Sequence, residues 1–280
     1  MTKAILLFFL FLFSFHDTAI AVTNEYDEKD SPLSFKVEMV PWEIVNEILP
    51  RKSFFTIIDV ETGLQFRVQR RAGSRHADVQ PLTIEDTKIM KKIYSGKWSW
   101  KRRAIIVKYG DQMIAASMHG MPHGAGALKN GFPGHFCVHF LGSTTHSSKE
   151  PDFAHKLMLL KAGGRLDDYI DNADPYHLIE IFVAGINQSD QKIIKQTVIP
   201  NSKNRKLYKT LNQITVFSIT NMSYLPLSDL KGLLSMEIPV EVEIYWENQG
   251  KERKQIVFVL VRNSIVDRWY IQQKDLLQQL

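Results

Sequence analysis

The sequence predicts a mixed α+β fold in two domains. In the first half, short apolar segments flank glycine-containing turns, which is the pattern of β-hairpins, and helical segments lie between them. In the second half, segments with helical periodicity come first and several strands follow, as in helices packed on an antiparallel sheet. The chain of 280 residues, 44% hydrophobic and 23% charged, has the length and composition of a globular protein with one large or two ordinary domains.

The amino terminus is predicted to be a secretory signal peptide over residues 1–21. Lys3 gives a positive end, an apolar run covers residues 4–15, and Ala19-Ile20-Ala21 is a small-x-small cleavage pattern. The run is short for a membrane span, although an uncleaved anchor is the alternative. We therefore expect a secreted, extracytoplasmic chain with no stable transmembrane segment after cleavage.

Net charge indicates the kind of partner, and cysteine content limits the possible disulfides. The formal net charge of +5 favours an anionic partner such as a cell-wall or membrane surface. No basic helix carries interleaved aromatic residues, so nucleic acid is not expected as a partner. Cys137 is the one cysteine, which excludes an internal disulfide. It is either an inert buried thiol or a reactive one.

The first domain is predicted over residues 51–165, after a lead-in segment over 22–50 that ends in a short helix at 41–49. Strands are predicted at 54–60 and 64–68 around Glu61-Thr62-Gly63, at 103–109 and 113–118 around Gly110-Asp111, and within 131–141. Thr83 followed by Asp86 has the pattern of a capping box and predicts the start of a helix. A further helix over 151–162 ends at Gly163-Gly164.

The second domain is predicted over residues 172–280, with the boundary in the stretch 163–173. Helices are predicted from Asp174-Pro175 onward and over 190–197, and strands at 214–220, 240–246, 256–261 and 268–271. This order, with the Asp267-Arg268-Trp269 ending, resembles the nuclear-transport-factor-two-like cone fold. The resemblance implies helices packed on a curved antiparallel sheet that serves as an accessory or binding module.

Side chains suited to catalysis or metal binding are concentrated between residues 117 and 146. Five of the nine histidines lie there: His119, His123, His135, His139 and His146. Because side chains alternate along a strand, His135, Cys137 and His139 are predicted on one face. By the same alternation, the opposite face, toward the core, is predicted to carry Phe136, Val138 and Phe140. Gly120, Gly124 and Gly126 would let the loop that carries His119 and His123 approach this strand closely.

The segment Gly134-His135-Phe136-Cys137-Val138-His139 resembles the signature of the L,D-transpeptidase family, whose members cross-link bacterial peptidoglycan. His119-Gly120 and His123-Gly124 both match the family's upstream histidine, and the likeness covers roughly residues 54–163. Three positions depart from the pattern: Gly134 replaces Ser or Thr, Phe136 replaces Gly, and His139 replaces Arg or Asn. The segments 76–79, 97–100 and 134–137 also resemble those of uncharacterised bacterial exported proteins.

The resemblance implies acyl transfer on peptidoglycan stem peptides by a protein associated with the cell wall. It implies that Cys137 is the nucleophile, that His119 or His123 is the general base, and that His135 orients the base or the substrate. Substrate contacts are expected from His139, Gly134, Phe136, Trp98 and Trp100, although core packing is the alternative for the two tryptophans. No metal or other cofactor is expected.

Two other functions fit the same residues. Four histidines and one cysteine include enough ligands for tetrahedral zinc, with contributions from His76 and Asp78, so a zinc-dependent peptidoglycan hydrolase is one alternative. The other is a wall-binding module without catalysis, which the substitutions at Gly134, Phe136 and His139 favour.

Overall fold

The computed structural model describes residues 36–145, 150–200 and 205–280, and these residues belong to one compact unit. The predicted signal peptide, the lead-in segment up to residue 35 and His146 lie outside the described residues. The mixed α+β class is confirmed, since the described part contains eight α-helices and eleven strands. None of the helices described is long and apolar enough to cross a bilayer.

The first half of the described chain is a closed β-barrel with flanking helices. Its elements are β1 (Val37–Glu38), α1 (Trp42–Ile48), β2 (Phe54–Asp59), β3 (Gln65–Ala72), β4 (Ala77–Pro81), α2 (Ile84–Ile93), β5 (Arg102–Tyr109), β6 (Gln112–His119) and β7 (Phe136–His139). The strand order is β1-β6-β5-β2-β3-β4-β7, and β7 also pairs with β6, which closes six strands into the barrel. β1 is parallel to β6, and the other neighbours are antiparallel.

The local predictions for this half are confirmed for both hairpins, for the helix after Pro41 and for the capping box. The Asp86 N–H donates to the Thr83 hydroxyl at 3.1 Å, and the Thr83 N–H donates to the Asp86 carboxylate at 3.0 Å. β4 was not predicted, because its run of five residues is short and ends in proline, although apolar and polar side chains alternate along it. This strand carries Asp78 to the side of β7, where it pairs with Cys137.

In the second half of the described chain, five helices precede the sheet, in the predicted order, and one short helix that was not predicted follows it. Its elements are α3 (Phe153–Ala162), α4 (Leu166–Asp171), α5 (Pro175–Gln188), α6 (Gln191–Thr197), α7 (Arg205–Leu211), β8 (Ile214–Met222), β9 (Ser235–Trp246), β10 (Gly250–Val261), β11 (Tyr270–Ile271) and α8 (Gln273–Gln279). The sheet is antiparallel in the order β11-β10-β9-β8 and curls as a half barrel. α4 occupies much of the stretch 163–173 that was interpreted as a boundary.

Helix α3 connects the barrel to the second sheet through apolar packing. Leu157 and Met158 of α3 belong to the same buried cluster as Ala104 and Ala115 on the barrel strands β5 and β6. That cluster continues through α5 into the four-stranded sheet. The same helix begins beside the polar face of β7, so it also contributes to the site described next. The division into domains at 51–165 and 172–280, and the likeness to a cone fold, stay predictions.

Candidate functional site

The alternation of side chains along β7 is confirmed and places the thiol among histidines. Phe136, Val138 and Phe140 are fully buried in the barrel core. Cys137 faces the other side, where its Sγ lies 3.3 Å from Nε2 of His123 and 3.7 Å from Oδ1 of Asp78. The thiol is only 2% exposed, so its neighbours are imidazole and carboxylate groups rather than bulk water.

The ring of His123 is oriented by a backbone carbonyl. Its Nδ1 lies 3.1 Å from the carbonyl oxygen of Met121. Because a carbonyl oxygen only accepts hydrogen bonds, Nδ1 carries the hydrogen in the neutral ring, and Nε2 is the acceptor. The acceptor nitrogen therefore faces the thiol, which is the arrangement that a general base for Cys137 requires.

The glycine-rich loop folds back onto β7 through a short backbone bridge. The His123 N–H donates to the His135 carbonyl at 3.0 Å, and the His135 N–H donates to the His123 carbonyl at 2.9 Å. Gly134 has φ of +123°, and a Cβ at this position would lie 2.5 Å from the His123 carbonyl oxygen. A Ser or Thr would not fit here without a shift of the backbone.

Asp78 connects the thiol to two further histidines. Its Oδ1 lies 3.1 Å from Nε2 of His76 and 3.9 Å from Nε2 of His135. The Nδ1 of His76 is in turn 2.8 Å from the carbonyl oxygen of Thr144. Burial, together with the negative charge of Asp78, raises the pKa of Cys137 above its ordinary value. The thiol is therefore neutral before substrate binds.

A stack of rings forms the inner wall of the site. The rings of His139 and His155 lie 3.8 Å apart at 13°, and the His155 Nδ1 is 2.8 Å from the Ser117 hydroxyl. Burial lowers the pKa of His155 well below its ordinary value, and burial with the nearby His123 lowers the pKa of His119 to about 3. Both rings are therefore neutral at neutral pH.

A cavity of about 600 Å³ opens onto this cluster. Its lining consists of Trp100, Arg102, His119, His123, Cys137, His139, Thr145, Glu150, Pro151, Asp152 and His155. A larger cavity of about 960 Å³ lies beside β1 and the end of α3, but neither cysteine nor histidine is among the residues that line it. Chemistry, not size, therefore marks the smaller cavity as the candidate site.

The structure brings together five of the nine predicted site residues around this cavity: Cys137, His119, His123, His139 and Trp100. His135 lies beside it, with its ring 4.5 Å from that of His123.

Three predicted substrate contacts do not line the cavity. Phe136 is on the core face of β7, because neighbouring side chains in a strand point in opposite directions. Trp98 packs edge-on against Phe132 at 5.1 Å, so its ring takes part in core packing, the alternative to substrate contact for this residue. Gly134 has no side chain, and its carbonyl accepts a hydrogen bond from the Gln80 side chain at 2.7 Å.

Sequence reasoning missed Arg102, Asp152 and His155. Arg102 donates to Asp152 at 2.8 Å, and Asp152 caps α3 by accepting the His155 N–H at 2.8 Å. The sequence does contain one indication of Arg102. The Gly110-Asp111 turn sets the strand register, and that register pairs Arg102 with His119. For the two residues of α3 the sequence shows only an ordinary capped helix.

Comparisons of this chain with protein-family models, with curated proteins and with solved structures found no match.

Proposed function

We propose that this chain is a cysteine-dependent acyl-transfer enzyme that acts on peptidoglycan stem peptides, with Cys137 as nucleophile and His123 as general base. The observation that carries the proposal is the distance of 3.3 Å between the thiol sulfur and Nε2 of His123, in a ring whose Nδ1 is held by the Met121 carbonyl. Nucleophile, base and orienting group are thus arranged in the order that covalent catalysis needs.

The reaction proceeds through a thioester. As Sγ bonds to the carbonyl carbon of the stem peptide, Nε2 of His123 takes the thiol proton. The carbon–nitrogen bond then breaks, and the His123 imidazolium gives its proton to the leaving amine. An amine of a second stem, or water, attacks the thioester carbonyl and loses a proton to His123, which returns it to the departing sulfur.

The neutral resting thiol determines how the first step occurs. Because burial and Asp78 hold the pKa of Cys137 above its ordinary value, a stable thiolate–imidazolium pair does not form in advance. Transfer of the proton to His123 therefore accompanies attack on the carbonyl. Such a thiol reacts slowly with general alkylating agents and faster with acyl donors that the cavity holds in place.

The residues that line the cavity favour a peptide ligand with both positive and negative groups. Arg102 and Asp152 form an ion pair in this lining, which a peptide with both charges could join, and Trp100 is half exposed beside His119, with 4.7 Å between the two rings. A volume of about 600 Å³ is in the range of sites that hold small ligands. Stem peptides, which carry amino and carboxylate groups near the reacting amide, match this lining.

The test is covalent trapping by a carbapenem followed by intact mass measurement. We expect wild type to gain the mass of one carbapenem, and Cys137→Ala to gain none. His123→Asn should form the adduct about 10²- to 10⁴-fold more slowly, the range for loss of a general base. His177→Gln is the matched control, because His177 pairs with Tyr169 and Glu180 outside this cavity.

Two other results would contradict this proposal, and each would support another function. Hydrolysis of stem peptides that stops with a chelator but survives thiol alkylation would indicate the zinc-dependent hydrolase. Binding of stem peptides without any adduct or turnover, in wild type with an intact thiol, would indicate a wall-binding module.

A further inference from the structure

We propose that His119, His123 and Cys137 also form a binding site for one Zn²⁺ ion, and that its occupancy blocks the thiol. One potential ligand atom from each residue lies within 4.8 Å of the other two, and all three residues line the same cavity. The blocking effect rests on the acyl-transfer function proposed above, whereas the binding itself does not. The ion here is an inhibitor, not a catalyst.

The donor set has the chemistry that Zn²⁺ prefers. Imidazole nitrogen and thiolate sulfur bind zinc at about 2.0–2.1 Å and about 2.3 Å, and three protein ligands leave a fourth tetrahedral position for water. Tetrahedral geometry at those lengths separates a sulfur ligand from a nitrogen ligand by about 3.5–3.6 Å. The distance between Sγ of Cys137 and Nε2 of His123 is 3.3 Å, so a small shift of the two side chains gives this separation.

The second histidine supplies an independent sign of a ligand. His119 is only 5% exposed, and its Nδ1 is a buried polar atom with no hydrogen-bond partner among the residues that the structure describes. A buried polar atom without a partner is unfavourable unless water or an ion satisfies it. His123 has the outer hydrogen bond typical of metal-binding histidines, from its Nδ1 to the Met121 carbonyl.

A competing set of ligands shares the same sulfur. Potential ligand atoms of His76, Cys137 and His139 also lie within 4.8 Å of one another. Both ring nitrogens of His76 are engaged, however, one at 2.8 Å from the Thr144 carbonyl and the other at 3.1 Å from Asp78. An ion there would have to displace one of these contacts, so the set with His119 is favoured.

Metal binding and acyl transfer exclude each other at these atoms. Zn²⁺ replaces the thiol proton, so a zinc–sulfur bond forms, one proton is released to solvent, and neither partner changes oxidation state. The lone pair of the His123 Nε2 then lies on the metal and cannot accept a proton. The sulfur also donates a lone pair to the metal, so Cys137 does not attack an acyl donor until a chelator removes the ion.

The first experiment measures metal binding without any substrate. The full chain, stripped of metal and kept reduced, is titrated with Zn²⁺ by calorimetry and with Co²⁺ by absorption. We expect one ion per chain and a sulfur-to-cobalt charge-transfer band. Loss of an outer partner alone weakens metal affinity about 10- to 100-fold, so Cys137→Ser and His119→Asn should each cost at least that much. His177→Gln should bind like wild type, and His76→Gln should lose less than about tenfold, because His76 is not a ligand in this set.

Three results decide the metal site. Wild-type affinity no higher than that of Cys137→Ser overturns it, as does a loss in His76→Gln equal to that in His119→Asn. If the ligand variants do not fold, as judged by circular dichroism, the wild-type cobalt spectrum decides, and absence of the charge-transfer band overturns the site.

The second experiment tests the block on the thiol. Zn²⁺ should slow labelling of Cys137 by iodoacetamide and formation of the carbapenem adduct at least about tenfold, and chelation should restore both. Equal rates with the ion bound overturn mutual exclusion. If the apo protein forms no carbapenem adduct while zinc still protects the thiol, the acyl-transfer proposal fails and the metal site stands.

Discussion

Cys137 owes its chemical character to two neighbouring side chains and to its burial on β7. His123 provides a base at 3.3 Å, Asp78 provides a carboxylate at 3.7 Å that opposes ionisation, and β7 keeps the sulfur out of bulk water. Sequence spacing left His119 and His123 as equal candidates for the base. The hydrogen bond of the His123 Nδ1 to the Met121 carbonyl favours His123, because it orients the acceptor nitrogen toward the thiol.

Gly134 controls the position of His123 through the backbone. Replacement Gly134→Ser imposes a φ of +123° on a residue with a Cβ, and that Cβ would lie 2.5 Å from the His123 carbonyl oxygen. We expect a loss of about 1–3 kcal/mol in the free energy of unfolding, measured by urea denaturation. The rate of adduct formation should also fall, because the loop that carries His123 must shift.

The control for this prediction is Gly63→Ser. Gly63 also has positive φ, at +68°, but open space surrounds the position of its Cβ. This variant should lose stability from backbone strain and keep the wild-type rate of adduct formation. Equal rates in the two variants would show that Gly134 has no role in placing His123.

At the scale of elements, turn and cap chemistry was readable from the sequence. The helix α2 begins where the Thr83 and Asp86 pattern predicted, and both barrel hairpins turn at the expected glycines. β4 was missed because its apolar and polar residues alternate over only five positions, and the last of them is proline. Gln80 can be buried because its side-chain amide forms hydrogen bonds. It donates to the Gly134 carbonyl at 2.7 Å and accepts the Ala127 N–H at 2.9 Å.

The capping box of α2 gives a graded stability prediction. Thr83→Ala removes the acceptor for the Asp86 N–H and should cost about 1 kcal/mol. Asp86→Ala should cost more, because its carboxylate also accepts the Arg67 N–H of β3 at 2.8 Å. Urea denaturation of both variants measures the difference, and a smaller loss for Asp86→Ala would contradict the contribution of the contact with β3.

At the scale of the whole molecule, α3 links the barrel, the candidate site and the second sheet. Its residues Leu157 and Met158 pack in the shared core, and His155 at its start reaches Ser117 of β6. Lys161 near its end binds Asp190 at 2.5 Å and Glu61 at 2.6 Å, and so connects the start of α6 to the first barrel hairpin. Loss of packing along this helix would therefore affect both halves of the described chain.

The buried His155 predicts how stability depends on pH. Burial lowers its pKa in the folded protein below the value of about 6.5 expected when unfolded, so the unfolded chain binds more protons as the pH falls. Its contribution is therefore fully present above about pH 6.5 and is lost progressively below that value, at no more than about 1.4 kcal/mol per pH unit. Urea midpoints at several pH values measure the loss.

The matched variant for this prediction is His155→Gln, which keeps a polar group near the Ser117 hydroxyl and removes the titration. It should be less stable than wild type at pH 7.5 and lose less stability on acidification. A variant whose midpoint falls as steeply as that of wild type would show that other groups cause the acid sensitivity.

The sequence by itself determined the α+β class, the hairpins, the capped helices and the alternation that separates Cys137 from the phenylalanines of β7. These features depend on residues that are near one another in the chain, through turn geometry, capping and strand periodicity. Only the tertiary structure decided which groups surround the thiol. Asp78 is 59 positions from Cys137, and His155 is 38 from Ser117. Closure of the barrel and docking of α3 bring them together, and local sequence patterns contain no record of contacts made across such separations.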